Sequence, residues 1–369
     1  MSGHIVPQHD MDNLPISGLE DLQAHIQVLV NDPAAPFNAK LFDDVELQLT
    51  EDNIPPLLPV LLPALTTILK STTQDPTPCL TLTIKLLSPL SLTSTLQIAD
   101  PPSLITALQS PLAGANHLAL AILHKGAATI EEAGGVAALQ GVVDALIRTW
   151  LQTEDTGVAE KAARVIGDLL ETDCGFPRSA PPRANGTANE IVFPPPSQVQ
   201  QVQGYATLWG FIFSNRSIFT IFPKLCYPSE SRTNHQVTLS QGRLLRLLPR
   251  LATLNLRDIS RTPFPDELPT FPVAGGGGIL QWASLYMIDK TDILMHLNLV
   301  DFFETFVSVM RVAGTRSTTL ENADRAVAEL VRTAIREDTE LESALRNLPN
   351  RTVQEEAEPL RQYIDGILH

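Results

Sequence analysis

The chain has 369 residues, of which 44% are hydrophobic and only 5% are aromatic, and its formal net charge is -15. A single hydrophobic core usually stops growing at about 250 to 300 residues, so the length predicts either two domains or an elongated repeat array. The excess of acidic residues would repel nucleic-acid phosphates and anionic lipids, so neither nucleic acid nor a membrane is an expected partner. Aliphatic residues dominate the apolar content, which favours helices packed on helices over a β-sandwich.

Cysteine usage and the amino-terminal sequence indicate a protein of the cell interior. Cys79, Cys174 and Cys226 are too few and too far apart for a disulfide framework or a zinc cluster, and we expect small, buried apolar side chains. Residues 1–14 lack the basic region and apolar run of a signal peptide. The apolar stretch 54–69 contains four prolines and is shorter than the about 20 residues of a membrane span, so it is interpreted as a buried helix. The expected location is the cytoplasm, with the nucleus as a second location.

Helical periodicity runs through most of the chain. It begins at 17–30, where apolar residues recur every three or four positions and Ser17 with Glu20 forms the pattern of a capping box. The clearest amphipathic helix spans 156–171, with an apolar stripe on one side and charged residues on the other. Short β-branched runs lack hairpin turns, so no sheet is predicted.

The helical segments group into pairs. The pairs start about 30 to 50 residues apart, which is the period of armadillo and HEAT repeats. A helix pair alone leaves its apolar face exposed, so neighbouring pairs must stack. The predicted fold is therefore all-α: an α-solenoid of armadillo/HEAT-like helical repeats in a curved superhelix, with a globular helical bundle as the alternative. The predicted pairs are 54–69 with 79–90, 104–108 with 116–124, 135–151 with 158–170, and 299–312 with 320–335.

Two stretches rich in proline and glycine interrupt the helical rhythm. The first, 174–198, is predicted to be a linker or loop between amino-terminal repeats at 16–173 and carboxy-terminal repeats at 199–369. The second is predicted to be a flexible loop at 262–278 within the carboxy-terminal repeats. Residues 1–15 are predicted to be a disordered amino-terminal tail.

The sequence holds no motif of a known catalytic or cofactor site. It lacks a zinc-protease helix motif, a nucleophile elbow, a phosphate-binding loop and a paired-cysteine motif. The glycine run at 275–278 follows no predicted strand and lacks dinucleotide-binding spacing, so it is interpreted as a loop. His117 and His124 share a helix face but have no third ligand nearby, and are interpreted as half-buried histidines. We therefore expect a protein that is not an enzyme and that has no cofactor, metal or small-molecule site.

A stripe of arginines is the main candidate binding feature. At about 100° per residue, Arg243, Arg246, Arg250 and Arg257 lie within a wedge of about 60° on one predicted helix. Pro249 would remove a backbone hydrogen bond and is expected to kink or restart this helix. Arginine makes bidentate bonds to carboxylates, so the stripe predicts a surface for an acidic protein partner. The alternative is a solvated face that pairs with neighbouring repeats.

The order of these segments resembles a known family. The helix at 158–170 is similar to the second helix of an armadillo/HEAT unit, and leucine-rich amino-terminal repeats are followed by a polar break after Asp173 and Cys174. Together they resemble the HEAT-repeat chaperone of the proteasome regulatory particle, the proteasome non-ATPase regulatory subunit five family, which in fungi is labelled a DNA mismatch repair protein. The resemblance implies a curved solenoid that binds the carboxy-terminal domain of one AAA ATPase subunit during assembly of the base and then leaves.

The residues and the resemblance together predict a non-catalytic protein-binding scaffold, a chaperone for assembly of the proteasome regulatory particle base. The expected partner is the carboxy-terminal domain of a proteasomal AAA ATPase subunit, and the free chain is expected to be a monomer. One alternative is an armadillo-type adaptor that binds peptides in transport or signalling, which ordinarily needs Trp and Asn arrays along its groove. Another is a DNA-repair accessory factor, which the arginine stripe favours and the acidic net charge opposes.

Overall fold

A computed structural model gives the fold of most of the chain. Its described residues are helical apart from turns and connecting segments, with no β-strand among them, so the predicted all-α class is confirmed. They form two compact units, of which the first ends at Gly126 and the second begins at Ala127. The structure describes residues 16–176, 204–269, 277–314 and 321–369.

Side-chain caps set several helix starts in the first unit. Asn38, Ser91 and Asp100 each accept a hydrogen bond from the amide three residues further on, which satisfies one of the free amides of the first turn. The described helices of this unit are α1 (Leu19–Asn31), α2 (Ala39–Glu46), α3 (Leu58–Ser71), α4 (Thr77–Leu87), α5 (Leu92–Leu96), α6 (Pro101–Leu108) and α7 (Ala113–His124).

The capping box predicted at Ser17 and Glu20 is wrong. α1 starts after Gly18, whose φ of 80° lies in the left-handed region, and no side chain caps the helix. A capping box needs an extended Ser or Thr immediately before the helix, and Ser17 lies one residue too early. The Ser17 amide donates instead to Gln48 Oε1 at 2.9 Å.

Helices of the first unit pack on helices one, two or three positions further along the chain. α1 packs on α2 and α3, while α2 and α3 both pack on α4. α4, α5 and α6 all pack on α7. The predicted pairs 54–69 with 79–90 and 104–108 with 116–124 correspond to α3 with α4 and to α6 with α7, and both pairs are in contact.

The second unit is built around one long helix, α14. Thr233 and Gln236 form a capping box at its start. The described helices of this unit are α8 (Ile130–Val136), α9 (Gln140–Gln152), α10 (Thr156–Asp173), α11 (Thr207–Phe213), α12 (Arg216–Phe219), α13 (Ile221–Cys226), α14 (Asn234–Ile259), α15 (Ile279–Leu285), α16 (Ile293–Gly314), α17 (Glu321–Ile335), α18 (Thr339–Asn347) and α19 (Gln354–Leu368).

α14 contacts helices from both ends of the second unit. It packs on α9, α10, α13, α15 and α16, and α16 in turn packs on α17, α18 and α19. α9 packs on α10, so the predicted pairs 135–151 with 158–170 and 299–312 with 320–335 are also in contact. The core is mainly aliphatic and aromatic, and its largest fully buried side chains in this unit are Trp150, Trp282, Phe219, Phe303 and Phe306.

The compact units divide after Gly126, which is not where the sequence pattern placed a division, at 174–198. α10 and α11 pack on each other across that stretch. The buried carboxylate of Asp173 accepts hydrogen bonds from the amides of Thr207 and Trp209, each at 3.0 Å. Burial raises the pKa of Asp173 even though these hydrogen bonds oppose the shift. Asp173 therefore joins the two sides of the predicted linker within one unit.

The predicted flexible loop at 262–278 is described at its two ends. The Thr262 amide donates to the Gly277 carbonyl at 3.2 Å, so the ends are held together. Trp282 Nε1 donates to the Pro269 carbonyl at 3.0 Å and connects one end to α15. The parts of the predicted segments outside the described residues are the tail at 1–15, linker residues 177–198 and loop residues 270–276.

α16 is long and apolar enough to cross a membrane, by length and composition. In the structure, Phe303, Phe306 and Val307 on this helix are completely buried. α16 packs on four other helices of the second unit. These contacts make it a core helix of that unit.

Asn116 is a buried polar side chain that donates hydrogen bonds to the carbonyl groups at the end of α6. Its Nδ2 donates to the carbonyls of Ala107, Leu108 and Ser110 at 2.8, 2.9 and 3.1 Å, and the residue is 4% exposed. Carbonyls at a helix end have no partner in a following turn, so a side-chain donor substitutes for one.

We predict that Asn116→Asp destabilises the chain more than Asn116→Ala does. At neutral pH a carboxylate would face three carbonyl oxygens, whereas alanine only removes the donor. The expected losses in unfolding free energy are about 3–5 kcal/mol for Asp and about 1–3 kcal/mol for Ala. Urea unfolding followed by circular dichroism measures both, and an equal or larger loss for Ala would contradict the prediction.

Candidate protein-binding site

The predicted arginine stripe lies on α14, but the helix is not continuous beneath it. The backbone keeps helical geometry through Pro249 and leaves it at Asn255, with φ -155° and ψ 81°. Asn255 Oδ1 then accepts the Asp258 amide at 3.1 Å, which restarts the last turn. We expected the kink at Pro249, but it lies at Asn255. Arg257 lies beyond it, on a separate turn.

Arg250 is an internal ion-pair residue. Its side chain is 17% exposed, with Nη2 at 2.6 Å from Asp168 Oδ1 and Nε at 2.7 Å from Glu171 Oε1, both on α10. Burial alone would lower the pKa of Arg250, but the hydrogen bonds and charges of Glu171 and Asp168 outweigh burial and raise it. A Cβ at position 167 would overlap the guanidinium, so Gly167 makes the space that the bridge needs.

Arg243 is also internal, with 9% exposure. Its Nη1 donates to the Leu151 carbonyl at 3.1 Å, and Ser240 Oγ donates to the same oxygen at 2.7 Å. Leu151 lies in the last turn of α9, where free carbonyls attract a cation. Burial, followed by the charges of Arg246 and Arg232, lowers the pKa of Arg243.

Arg246 and Arg257 are the exposed members of the predicted stripe. Arg246 belongs to a basic cluster with Arg232 and Arg243, in which Arg232 Nη2 donates to Ser240 Oγ at 3.0 Å. The expectation of four arginines projecting together is therefore wrong, because α9 and α10 cover two of them. Of the predicted binding residues, Arg246 and Arg257 are available to a partner.

An exposed apolar surface on α16 was not found from the sequence. Ile293, Leu294 and Leu297 are 76%, 72% and 58% exposed. At about 100° per residue they span a sector of about 100°, on the side of the helix opposite buried Met295 and Leu299. We call these three side chains the α16 ridge. Large contiguous apolar patches on a protein surface often mark contact with another molecule, so the α16 ridge is a candidate binding surface.

Asp338 anchors the end of α16 that carries the ridge. Its carboxylate lies 3.0 Å from Lys290 Nζ and 3.0 Å from His296 Nε2, and accepts the Leu341 amide at 3.0 Å. Glu340 lies 3.4 Å from His296 Nδ1. Burial would raise the pKa of Asp338, but hydrogen bonds from Leu341, Lys290 and His296, with the charge of Lys290, lower it below its ordinary value.

The cysteines and histidines considered in the sequence lie mostly in helix interfaces. Cys79 and Cys226 are buried as predicted, whereas Cys174 is half-buried. Burial is the main cause that raises the pKa of each thiol to about 12, so all three are protonated at neutral pH. His117 and His124 are half-buried, as expected. Across the described ranges, no group of three or more His, Cys, Asp or Glu side chains could hold a metal ion.

Comparison with known proteins finds neither a family model nor a curated protein that matches the chain. The resemblance carried by residues 158–170 therefore rests on the sequence pattern. In the structure this segment lies within α10, which packs on α8, α9 and α14.

We predict that Arg250→Ala lowers the free energy of unfolding by about 3–5 kcal/mol, because it leaves two largely buried carboxylates without this partner. Arg246→Ala removes an exposed arginine from the same helix and should cost less than about 0.5 kcal/mol. Denaturant unfolding of the two variants measures the difference. Similar losses for both would contradict the internal role of Arg250.

We predict that Asp338→Asn weakens the chain mainly at neutral pH. A lowered folded-state pKa means that Asp338 stabilises the fold above the unfolded pKa of about 3.9, and that this contribution is lost as pH falls through the folded pKa. The expected loss at neutral pH is about 1–3 kcal/mol, because the hydrogen bonds from Lys290, His296 and Leu341 lose the carboxylate charge. Urea unfolding at a series of pH values should show the gap from wild type closing below about pH 4. A gap that stays constant into this acid range would refute the assignment.

Proposed function

We propose that the chain is a non-catalytic protein-binding scaffold whose helices stack as armadillo/HEAT-like repeats in a curved solenoid. The packing within each unit supports this. In the first unit, α1 contacts α2 and α3, and the latter two contact α4. In the second, α9 and α10 contact each other and α14, and α16 contacts α17 and α18. Contact within each helix pair, and between that pair and the helices packed beside it, is what stacked helix pairs require.

The α16 ridge is the observation on which the binding function depends. α16 already buries its other side, so the fold does not need three large aliphatic side chains in water. Full burial of each such side chain against a partner would stabilise a complex by about 1.5–3 kcal/mol before the cost of association. The ridge therefore favours a chain that gains apolar contacts by binding.

The partner we propose is the carboxy-terminal domain of a proteasomal AAA ATPase subunit, which the chain would hold during assembly of the regulatory particle base. The resemblance of the helix at 158–170, and of the leucine-rich repeats followed by a polar break, supports this choice. In this proposal the free chain is a monomer that acts in the cytoplasm and nucleus. It needs no cofactor and no small-molecule substrate.

The buried tryptophans do not favour a peptide-binding adaptor of armadillo type. Trp150, Trp209 and Trp282 are each no more than 2% exposed, and none is available to line a peptide groove. The internal positions of Arg243 and Arg250 likewise weaken the basic surface that had favoured a DNA-repair factor. Both observations favour the scaffold over the peptide-binding adaptor and the DNA-repair factor.

We predict that the purified full-length chain captures the isolated carboxy-terminal domain of one proteasomal ATPase subunit when it is offered each ATPase domain in turn. Leu294→Glu should weaken this capture by about tenfold or more, because a central apolar contact is replaced by a buried charge. Arg246→Glu tests the basic cluster in parallel. Binding constants are measured by biolayer interferometry.

Affinity purification of the chain from cells provides the complementary measurement. Recovery of proteasomal ATPase subunits without core-particle subunits agrees with the assembly role. Recovery of importins or of DNA-repair complexes, with no ATPase domain bound in the purified assay, would refute it. Leu47→Glu serves as the matched control, because Leu47 is 85% exposed and belongs to the first unit.

A further inference from the structure

Acidic side chains flank the α16 ridge in sequence on both sides. Asp289 and Asp292 precede it, Asp301 follows it, and all three residues are exposed. At about 100° per residue, Asp301 lies about 80° around the helix from Ile293, within the sector that the ridge occupies. Lys290 and His296, the bases of this segment, each lie 3.0 Å from Asp338, so a carboxylate already contacts each of them.

A second helix adds to the same negative field. Glu340 on α18 has a side chain that is 83% exposed, and its carboxylate lies 3.4 Å from Nδ1 of His296 on α16. The ridge is thus an apolar strip with carboxylates before it, after it and beside it. A partner that buries the strip must place its own charges next to these carboxylates.

This charge pattern selects among the possible occupants. An acidic partner or an anionic membrane would bring like charges together, which costs free energy that grows as water is excluded. In a two-fold symmetric contact with a second copy of the chain, this acidic surface would face the same acidic surface of the other copy. A partner whose apolar stripe is bordered by lysines or arginines would cover the ridge and place its cations next to these carboxylates.

We propose that the α16 ridge binds a basic amphipathic helix, with apolar residues at three- and four-residue spacing and Lys or Arg at its borders. The inference rests on the proposed function and names the chemistry of the element that the partner presents. Residues three and four apart lie on one face of a helix, so an amphipathic helix with this spacing can bring all its apolar residues against the ridge.

The ridge is held in position before any partner arrives. Asp292 Oδ1 accepts the amides of Leu294 and Met295 at 2.9 and 3.2 Å, which caps the first turn of α16. His296, one turn further, is held by Asp338 at 3.0 Å. A surface fixed in this way loses little conformational freedom on binding, so more of the contact energy appears as affinity.

The test uses two fluorescent synthetic peptides with the same leucine positions, one with lysines and one with glutamates at its polar positions. Binding to the full-length chain is measured by fluorescence anisotropy. We expect the lysine peptide to bind at least about tenfold more tightly than the glutamate peptide, and Leu294→Glu to weaken the lysine peptide by about tenfold. Asp301→Lys should weaken it about threefold or more, and less so in high salt.

Leu47→Glu is the control that separates the ridge from net charge. It adds the same negative charge as Leu294→Glu at an exposed leucine of the first unit, so it should leave lysine-peptide binding unchanged. Equal effects of the two variants would show that the acidic chain attracts any basic peptide, and would overturn the proposal. Tighter binding of the glutamate peptide would also overturn it. Thermal unfolding of Leu294→Glu and Asp301→Lys checks that both remain folded.

The result is separable from the test of the proposed function. If Leu294→Glu abolishes capture of the ATPase domain while the peptides show no preference for lysine, the scaffold function stands and the basic-helix inference fails. If the lysine peptide binds through the ridge but no ATPase domain is captured, the inference stands and the proposed partner fails. Sedimentation of the chain at increasing concentration tests self-association, and dimerisation that Leu294→Glu abolishes would overturn the inference.

Discussion

The ion pair between the guanidinium of Arg250 and the carboxylates of Asp168 and Glu171 joins α14 to α10 within the second unit. Burying three charges is costly, and the cost is recovered only when each oxygen meets its donor. The two acids lie three residues apart on α10, so they present a matched pair to one guanidinium, and Gly167 leaves room for it. We infer that this requirement sets the register of α14 against α10. Because α14 also packs on α9, α13, α15 and α16, the position of the α16 ridge depends on that register.

The helical fold was predictable because amphipathic periodicity records which side of each segment must be covered. All four predicted helix pairs are in contact, and the start of α10 follows the cap that Asp155 provides to Val158. Which of the four arginines are exposed was not predictable. A helical wheel gives the angles between residues on one helix, but it does not say which sectors the neighbouring helices cover. Arg243 and Arg250 share a wedge with Arg246 and are covered by α9 and α10, while Arg246 remains outside.

The α16 ridge escaped sequence reasoning for a related reason. The predicted helix began at residue 299, and the apolar residues before it would have been read as core, because Ile and Leu look alike whether they are covered or exposed. The available signal was that apolar residues occur all around the first two turns of α16, more than one buried stripe can use. The contact of α10 with α11 was not predictable, because proline and glycine content predicts where a helix stops, but not whether the chain returns to the same packing site. Asp173 provides that return through hydrogen bonds to residues more than thirty positions later.

The contact at Asp173 has an architectural consequence. Gly204 approaches the backbone of Cys174 so closely that a side chain there would overlap it, and the Ala206 amide donates to the Asp173 carbonyl at 3.0 Å. The residues on either side of 177–203 therefore lie next to each other in the second unit. We expect residues added or deleted between Phe176 and Gly204 to leave these contacts between α10 and α11 unchanged. This junction is therefore the position at which we expect the second unit to accept an inserted domain without rebuilding its core.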